Sequence, residues 1–229
     1  MKYIREMIEA YGLGHVRDEI LETVFSCIKL VPAPDEPVPL GASKAGGAPH
    51  LPAGQEQPDP AFLCQVNLAE MEAPGLPAHG LLYFFYENGA SRVLFHEGSA
   101  EHLAVSHAAG PYPECRILPE RTEKLPQLFF EDEDDDLRFL QMLEELDPDS
   151  YENHQMLGVP FSVHGEVLEE LAAELDMPAE SLVLLLQLDS DQGNLGMTWG
   201  EMGMLYFCMT RQDLQERRFD RVYCLQQSL

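Results

Sequence analysis

Positive charge is scarce in this 229-residue sequence: 14 Lys and Arg stand against 40 Asp and Glu, a formal charge of −26. Phosphate binding needs clustered Lys and Arg, so this balance excludes nucleic acid as a partner class, and an anionic membrane surface with it. Long apolar runs are missing too. None approaches the roughly 20 residues that a bilayer demands, and Met1-Lys2-Tyr3-Ile4-Arg5-Glu6 does not open as a signal peptide does. Cysteine is sparse and scattered, at Cys27, Cys64, Cys115, Cys208 and Cys224, without CxxC spacing. The five read as buried thiols of a reduced compartment, which implies a cytoplasmic protein. Nucleophile and phosphate-loop signatures are absent: there is no GxSxG, no HExxH and no GxxxxGK[ST].

What remains is enough to fold. Apolar residues make up 45% and aromatics 9%, too much for a disordered chain, and 17 Pro with 17 Gly imply many turns. A chain of this length buries roughly 70–75% of its unfolded surface and needs neither metal nor disulfide to do so. One domain is expected over residues 1–229, opening with a helical segment over 1–30. Ile20, Leu21, Val24, Phe25 and Ile28 fall on one helical face there. Residues 31–60 are dense in Pro and Gly and read as a long loop. Apolar, aromatic runs at 61–68, 80–86 and 92–96 read as strands, as do 182–188, 203–209 and 221–225. Helices are expected at about 137–147 and 166–175.

The most informative property is a repeat. Phe62-Leu63-Cys64-Gln65-Val66-Asn67 matches Leu184-Leu185-Leu186-Gln187-Leu188-Asp189. Gly80-Leu81-Leu82-Tyr83-Phe84 follows the first, and Gly203-Met204-Leu205-Tyr206-Phe207 the second; upstream, Gly47-x-Pro49 echoes Gly158-x-Pro160. The spacing, roughly 110–125 residues, is far longer than that of solenoids. The expectation is an α+β fold of mostly antiparallel sheets, built from two internally related β-units at about 43–97 and 154–227.

Candidate sites each carry a plainer alternative. Gln65 and Gln187 hold equivalent places in apolar strands, where a buried amide usually ties down neighbouring backbone. Lys44, one of only four lysines, sits in Ser43-Lys44-Ala45-Gly46-Gly47, a loop whose N–H groups could cradle an anion; the alternative is pairing with a carboxylate. Asp189-Ser190-Asp191-Gln192-Gly193-Asn194 lacks the Gly and Glu that an EF-hand needs at its sixth and twelfth positions, which favours a turn over calcium. His96, His102 and His107 match no zinc spacing. No metal and no cofactor are expected. Trp199, the only tryptophan, is either a core plug or a recognition residue. Residues 131–152 hold eleven acidic side chains against one Arg, a charge of −10, and read as a solvated partner surface in which Asp134, Asp135 and Asp136 are central.

In order along residues 43–227, several motifs resemble the YwqG-like bacterial family, a domain of unknown function. They are Ser43-Lys44-Ala45-Gly46-Gly47-Ala48-Pro49-His50-Leu51-Pro52, the two Gln-bearing strands, the two Gly-x-Leu-Tyr-Phe strands, His154-Gln155-Met156-Leu157-Gly158-Val159-Pro160, Trp199-Gly200 and Gln226. Ala45 stands where the family favours an aromatic, and Glu201 where an Asp commonly follows the Trp-Gly pair. The resemblance implies a mixed α and β fold and a role in protein interaction or toxin neutralisation; it brings no reaction, cofactor or catalytic residue. Two functions follow as expectations. The first is a non-enzymatic cytoplasmic interaction module whose acidic surface steers a basic protein partner. The second is an enzyme or small-ligand binder whose site gathers Lys44, His154, Asp189 and Trp199 at the junction of the half-units.

Overall fold

The computed structural model describes residues 2–98, 100–146 and 153–229. Helix α1 (Lys2–Ala10) buries Ile4, Met7 and Ile8, spaced to share one face, against Phe139 and Met142. A second helix, α2 (Arg17–Glu22), is short and stops at Thr23, whose hydroxyl donates to the Ile20 carbonyl at 2.8 Å. The helix expected to run on to residue 28 ends here. Phe25 and Ile28 belong instead to a strand, β1 (Phe25–Ala33). Aromatic and β-branched side chains suit a pleated surface, and tertiary pairing overrides the helical spacing.

The strands that follow are β2 (Lys44–Ala45), β3 (His50–Pro52), β4 (Phe62–Asn67), β5 (Leu81–Glu87), β6 (Ala90–His96), β7 (Leu103–Val105) and β8 (Cys115–Lys124). After α3 (Glu133–Leu146) come β9 (Gln155–Met156), α4 (Val167–Leu175), β10 (Leu182–Asp189), β11 (Met204–Thr210), α5 (Arg211–Gln215) and β12 (Tyr223–Gln227). Ten of the strands form one sheet in the order β12-β11-β10-β9-β1-β8-β2-β4-β5-β6, and β3 pairs with β7 separately. Every pairing is antiparallel. The fold is therefore α+β with a large antiparallel sheet. Residues 31–60, expected as loop, supply the end of β1 and all of β2 and β3.

The central ribbon joins β1 to β8 in nine-residue register, from Phe25 opposite Lys124 to Ala33 opposite Arg116. Nothing in the sequence reading placed a strand at β8, which carries Pro119. Proline is tolerated because β8's other neighbour, β2, reaches only Cys115 and Arg116, so Pro119 has an unpaired outer side. Pro32 of β1 is placed likewise, since β9 pairs only with Ile28 and Lys29.

The sheet curls until its two ends meet. Six strands lie between β11 and β5, yet Phe207 and Phe84 touch edge-on with ring centroids 5.2 Å apart. Phe95 packs against Phe219 at 5.0 Å, and the Tyr86 hydroxyl donates to Gln226 Oε1 at 2.8 Å. The concave face encloses the main core, with Leu63, Leu82, Phe84, Leu185, Leu205 and Phe207 all fully buried. Fully burying side chains of this size stabilises by roughly 1.5–3 kcal/mol each. Outside, α4 covers Leu182, Leu184 and Cys208, while β3 and β7 cover Phe62, Tyr83 and Phe85.

Candidate functional site

Strand β2 sets Lys44 between Gln65 of β4 and Arg116 of β8. Its side chain is fully buried; Nζ donates to the Ala48 carbonyl at 2.7 Å and pairs with the Glu114 carboxylate. Burial pulls the ammonium below its usual pKa, opposed by hydrogen bonding and attraction to Glu114. No anion cradle is formed here, because its N–H groups are used internally: Gly46 N–H donates to Leu63 O at 2.8 Å and Gly47 N–H to Tyr112 O at 2.9 Å. Gly46 is confined to glycine twice over, by φ +60° and by the Pro113 carbonyl 1.9 Å from where a Cβ would sit.

Gln65 completes this frame. Its Nε2 donates to Ala42 O at 2.8 Å, and its Oε1 accepts from His50 N–H at 2.8 Å. The hydroxyl of Tyr83, directly across the sheet, donates to His50 O at 2.7 Å. On β10, Gln187 donates to Asn153 O at 2.7 Å and accepts from Phe161 N–H at 3.0 Å. Tyr206, opposite Gln187, donates to Phe161 O at 2.7 Å.

Three of the four proposed contacts come together at the end of β10. His154 is buried, and its Nδ1 accepts from Asp189 N–H at 3.1 Å, which leaves the proton of a neutral ring on Nε2. Nε2 faces Asp191 Oδ2 at 3.5 Å and has no hydrogen-bond partner among the described residues. Trp199 is also buried, and its indole N–H donates to the Asp189 carbonyl at 3.2 Å. Edge-on contacts to Tyr86 at 5.9 Å and Tyr112 at 6.3 Å surround the indole. Lys44 is not in this group, being committed to Ala48 and Glu114. Glu114 and Asp191 are the partners that the sequence reading missed; no local spacing announces either, since Glu114 lies 70 residues from Lys44.

The two aspartates are held differently. Burial pushes Asp189 above the usual carboxylate range, with Asn153 N–H and the nearby His154 opposing. Asp191 is pushed up by burial as well, but His154 and the backbone and side-chain N–H groups of Asn194 together outweigh it and hold the carboxyl at about 2. The native state thus binds fewer protons at Asp191 than the unfolded chain does. Its contribution is complete above pH ~4 and is lost as pH falls toward ~2. Asp191→Asn is expected to flatten that part of the stability curve, measured by urea unfolding between pH ~5 and ~2.5. Curves that stay parallel across this window would show that Asp191 titrates normally.

The acidic stretch is more structured than a solvated charge run. Asp132 Oδ1 accepts from Asp134 N–H at 2.9 Å and Asp135 N–H at 3.3 Å, satisfying free donors at the start of α3. Asp135 is buried, correcting its expected exposure: it meets His15 Nε2 at 2.6 Å and Arg138 Nη1 at 3.2 Å. Asp136 is half-buried and accepts from Phe130 N–H. Only Asp134 of the three projects into solvent. Asp147, Asp149 and Glu152, also counted in the acidic stretch, lie outside the described residues.

None of the five cysteines forms a disulfide. Burial pushes the Cys208 thiol up to about 12 and raises those of Cys64 and Cys224, so these three offer no thiolate near neutral pH. Among the described residues no group of three or more His, Cys, Asp or Glu is placed to hold a metal ion, and no helix is long and apolar enough to cross a membrane.

These features define an α+β protein with a curled antiparallel sheet, whose buried polar residues anchor loops. The chain belongs to the DUF1963 family, a domain of unknown function, whose model matches residues 43–227. This is the YwqG-like family that the motifs resemble. No curated protein matches the chain. The matched span begins after β1, so the strand that pairs with both β8 and β9 is contributed from outside it.

Proposed function

We propose that this is a non-enzymatic, cytoplasmic protein-interaction module that binds a basic partner through the outer face of α3, with toxin neutralisation as one such role. A single observation carries the reading: Leu137 and Leu140 are 58% and 41% exposed on a helix whose surrounding Glu133, Asp134, Glu144 and Glu145 all face solvent. Phe129, 80% exposed, precedes the helix. Exposed leucines ringed by carboxylates suit an amphipathic surface bearing Lys or Arg, with charge steering the encounter and leucine burial slowing release. The mostly buried thiols, none in a disulfide, support a reduced compartment.

Asp134→Lys with Glu144→Lys is expected to slow association and to weaken its salt dependence, whereas Leu137→Ser with Leu140→Ser is expected to speed dissociation. Both pairs leave the buried Asp135 in place. Capture from native lysate identifies the partner, and surface-plasmon kinetics against it read the two effects. Unchanged capture and kinetics for the charge-reversed protein would overturn the acidic-face reading.

We infer further that the two β-units descend from one. The supporting observation is hydrogen-bonding by position. His50 and Phe161 each donate N–H to a strand glutamine and accept from the tyrosine opposite that glutamine. Ser43 Oγ and His154 Nδ1 each accept the N–H of the residue two past that glutamine, Asn67 and Asp189. Lys44 Nζ bonds Ala48 O, and Gln155 Nε2 bonds Val159 O. Register shifts recur between Phe62 and Cys64 and between Leu184 and Leu186. On this reading Lys44, His154 and Asp189 belong to a duplicated frame, which moves the search for function to surfaces that the frame carries.

A further inference from the structure

We propose that a cleft between β1, β10 and α5 binds a small amphiphilic carboxylate, a single aliphatic chain ending in an anionic head. The cleft, ≈ 340 Å³, opens where β1, β10 and α5 converge. Its apolar lining includes the part-exposed Leu157, Val183 and Leu214, and the charges on its rim are the guanidinium groups of Arg121 and Arg211. Among the described residues no carboxylate lines it, in a chain that carries 40. The Arg121 guanidinium has no hydrogen-bond or ion-pair partner among the described residues, although acidic side chains abound. Arg211 donates from Nε to Glu180 O at 2.8 Å, which fixes the side chain and leaves its Nη atoms without a partner among the described residues.

The combination selects a ligand class. Guanidinium groups fork onto carboxylates, and an apolar wall beside them rewards a hydrocarbon more than a second charge. A volume near the lower end of roughly 300–1,000 Å³ for small-molecule sites suits a medium chain and excludes a large folded partner. The negative field of the rest of the surface works against anions in general. An anion must therefore gain from the apolar walls as well as from the arginines, so acetate alone should bind poorly. The assignment stands apart from the α3 surface, and failure of either leaves the other intact.

Decanoate is the probe, titrated below its micelle concentration and followed by calorimetry and by methyl NMR of Leu157, Val183 and Leu214. Saturable binding is expected, with shifts confined to those methyls. 1-Decanol, decyltrimethylammonium and acetate should each bind at least tenfold more weakly. Arg121→Gln with Arg211→Gln should cost decanoate at least tenfold in affinity, and Val183→Trp should abolish binding by filling the cleft. The wild-type methyl shifts decide the matter even if a variant folds poorly. Equal binding of decanoate and decyltrimethylammonium, shifts elsewhere, or no saturation would overturn the proposal. So would tighter binding of a short peptide through its terminal carboxylate, which would reassign the cleft to a protein partner.

Discussion

Trp199→Ala is expected to lower the unfolding free energy by about 3–5 kcal/mol, the range for deleting a large buried aromatic. Against a total of about 5–15 kcal/mol for a typical domain, that is a large fraction. The indole is 4% exposed and lies where the two ends of the curled sheet meet. Tyr86 packs on it from β5, while its backbone is held from the other end of the sheet, with Ser190 Oγ accepting its N–H at 2.9 Å and Gln226 donating to its carbonyl at 2.8 Å. Removing the ring leaves Tyr86 and Tyr112 facing a void and strips the Asp189 carbonyl of its indole donor. Trp199→Phe keeps much of the packing and loses the donor, so its expected cost is smaller, about 1–2 kcal/mol. Urea unfolding measures both. A loss below ~1 kcal/mol for the alanine variant would mean that neighbours close over the gap and that the ring is no keystone. The alternative of a surface recognition residue is answered by the burial itself.

The sequence made some of this legible and hid the rest for identifiable reasons. Strands β4, β5, β10 and β11 announced themselves because they are apolar runs bounded by Gly or Pro, buried on both faces. The start of β1 was concealed by coincidence: Ile20 and Leu21 of α2 stand at helical spacing from Val24, Phe25 and Ile28, although the chain changes structure between them. Strand β8 was concealed by its composition. Pro119, Glu120, Arg121 and Glu123 read as loop, and only its long pairing with β1 makes them a strand. The candidate site divides in the same way. Lys44 was conspicuous by rarity and Gln65 by repetition, but their roles depend on distant partners. Asp135 looked like one more charge in a run, and its burial rests on His15, 120 residues earlier. Composition can give the sign of a surface; contact alone tells which carboxylates are spent.

Lys44→Ala is the second large effect, with an expected loss of about 2–4 kcal/mol from the cavity and from a backbone carbonyl left without its donor. The aliphatic stem is fully buried, so its packing is lost along with its charge. Glu114, the ion-pair partner, is 47% exposed and regains water when the lysine is gone. Much of the cost therefore falls on the Ala48 carbonyl and the vacated space, with less from a stranded charge. That distribution yields a sharper test. If the two β-units share one frame, Lys44 occupies the place that Gln155 holds in the other, where the amide donates to Val159 O at 2.9 Å. Lys44→Gln should then restore a donor to the equivalent carbonyl and cost about 1–2 kcal/mol, less than the alanine variant. Lys44→Met, similar in length but without a donor, should fall between Gln and Ala, since it fills the space and leaves the carbonyl unpaired. The order Gln, then Met, then Ala from least to most destabilising is what the shared frame requires, read from urea midpoints at neutral pH. A glutamine variant as damaged as alanine would show that the two positions are not interchangeable, and the proposed common origin of the units would lose its most direct physical support.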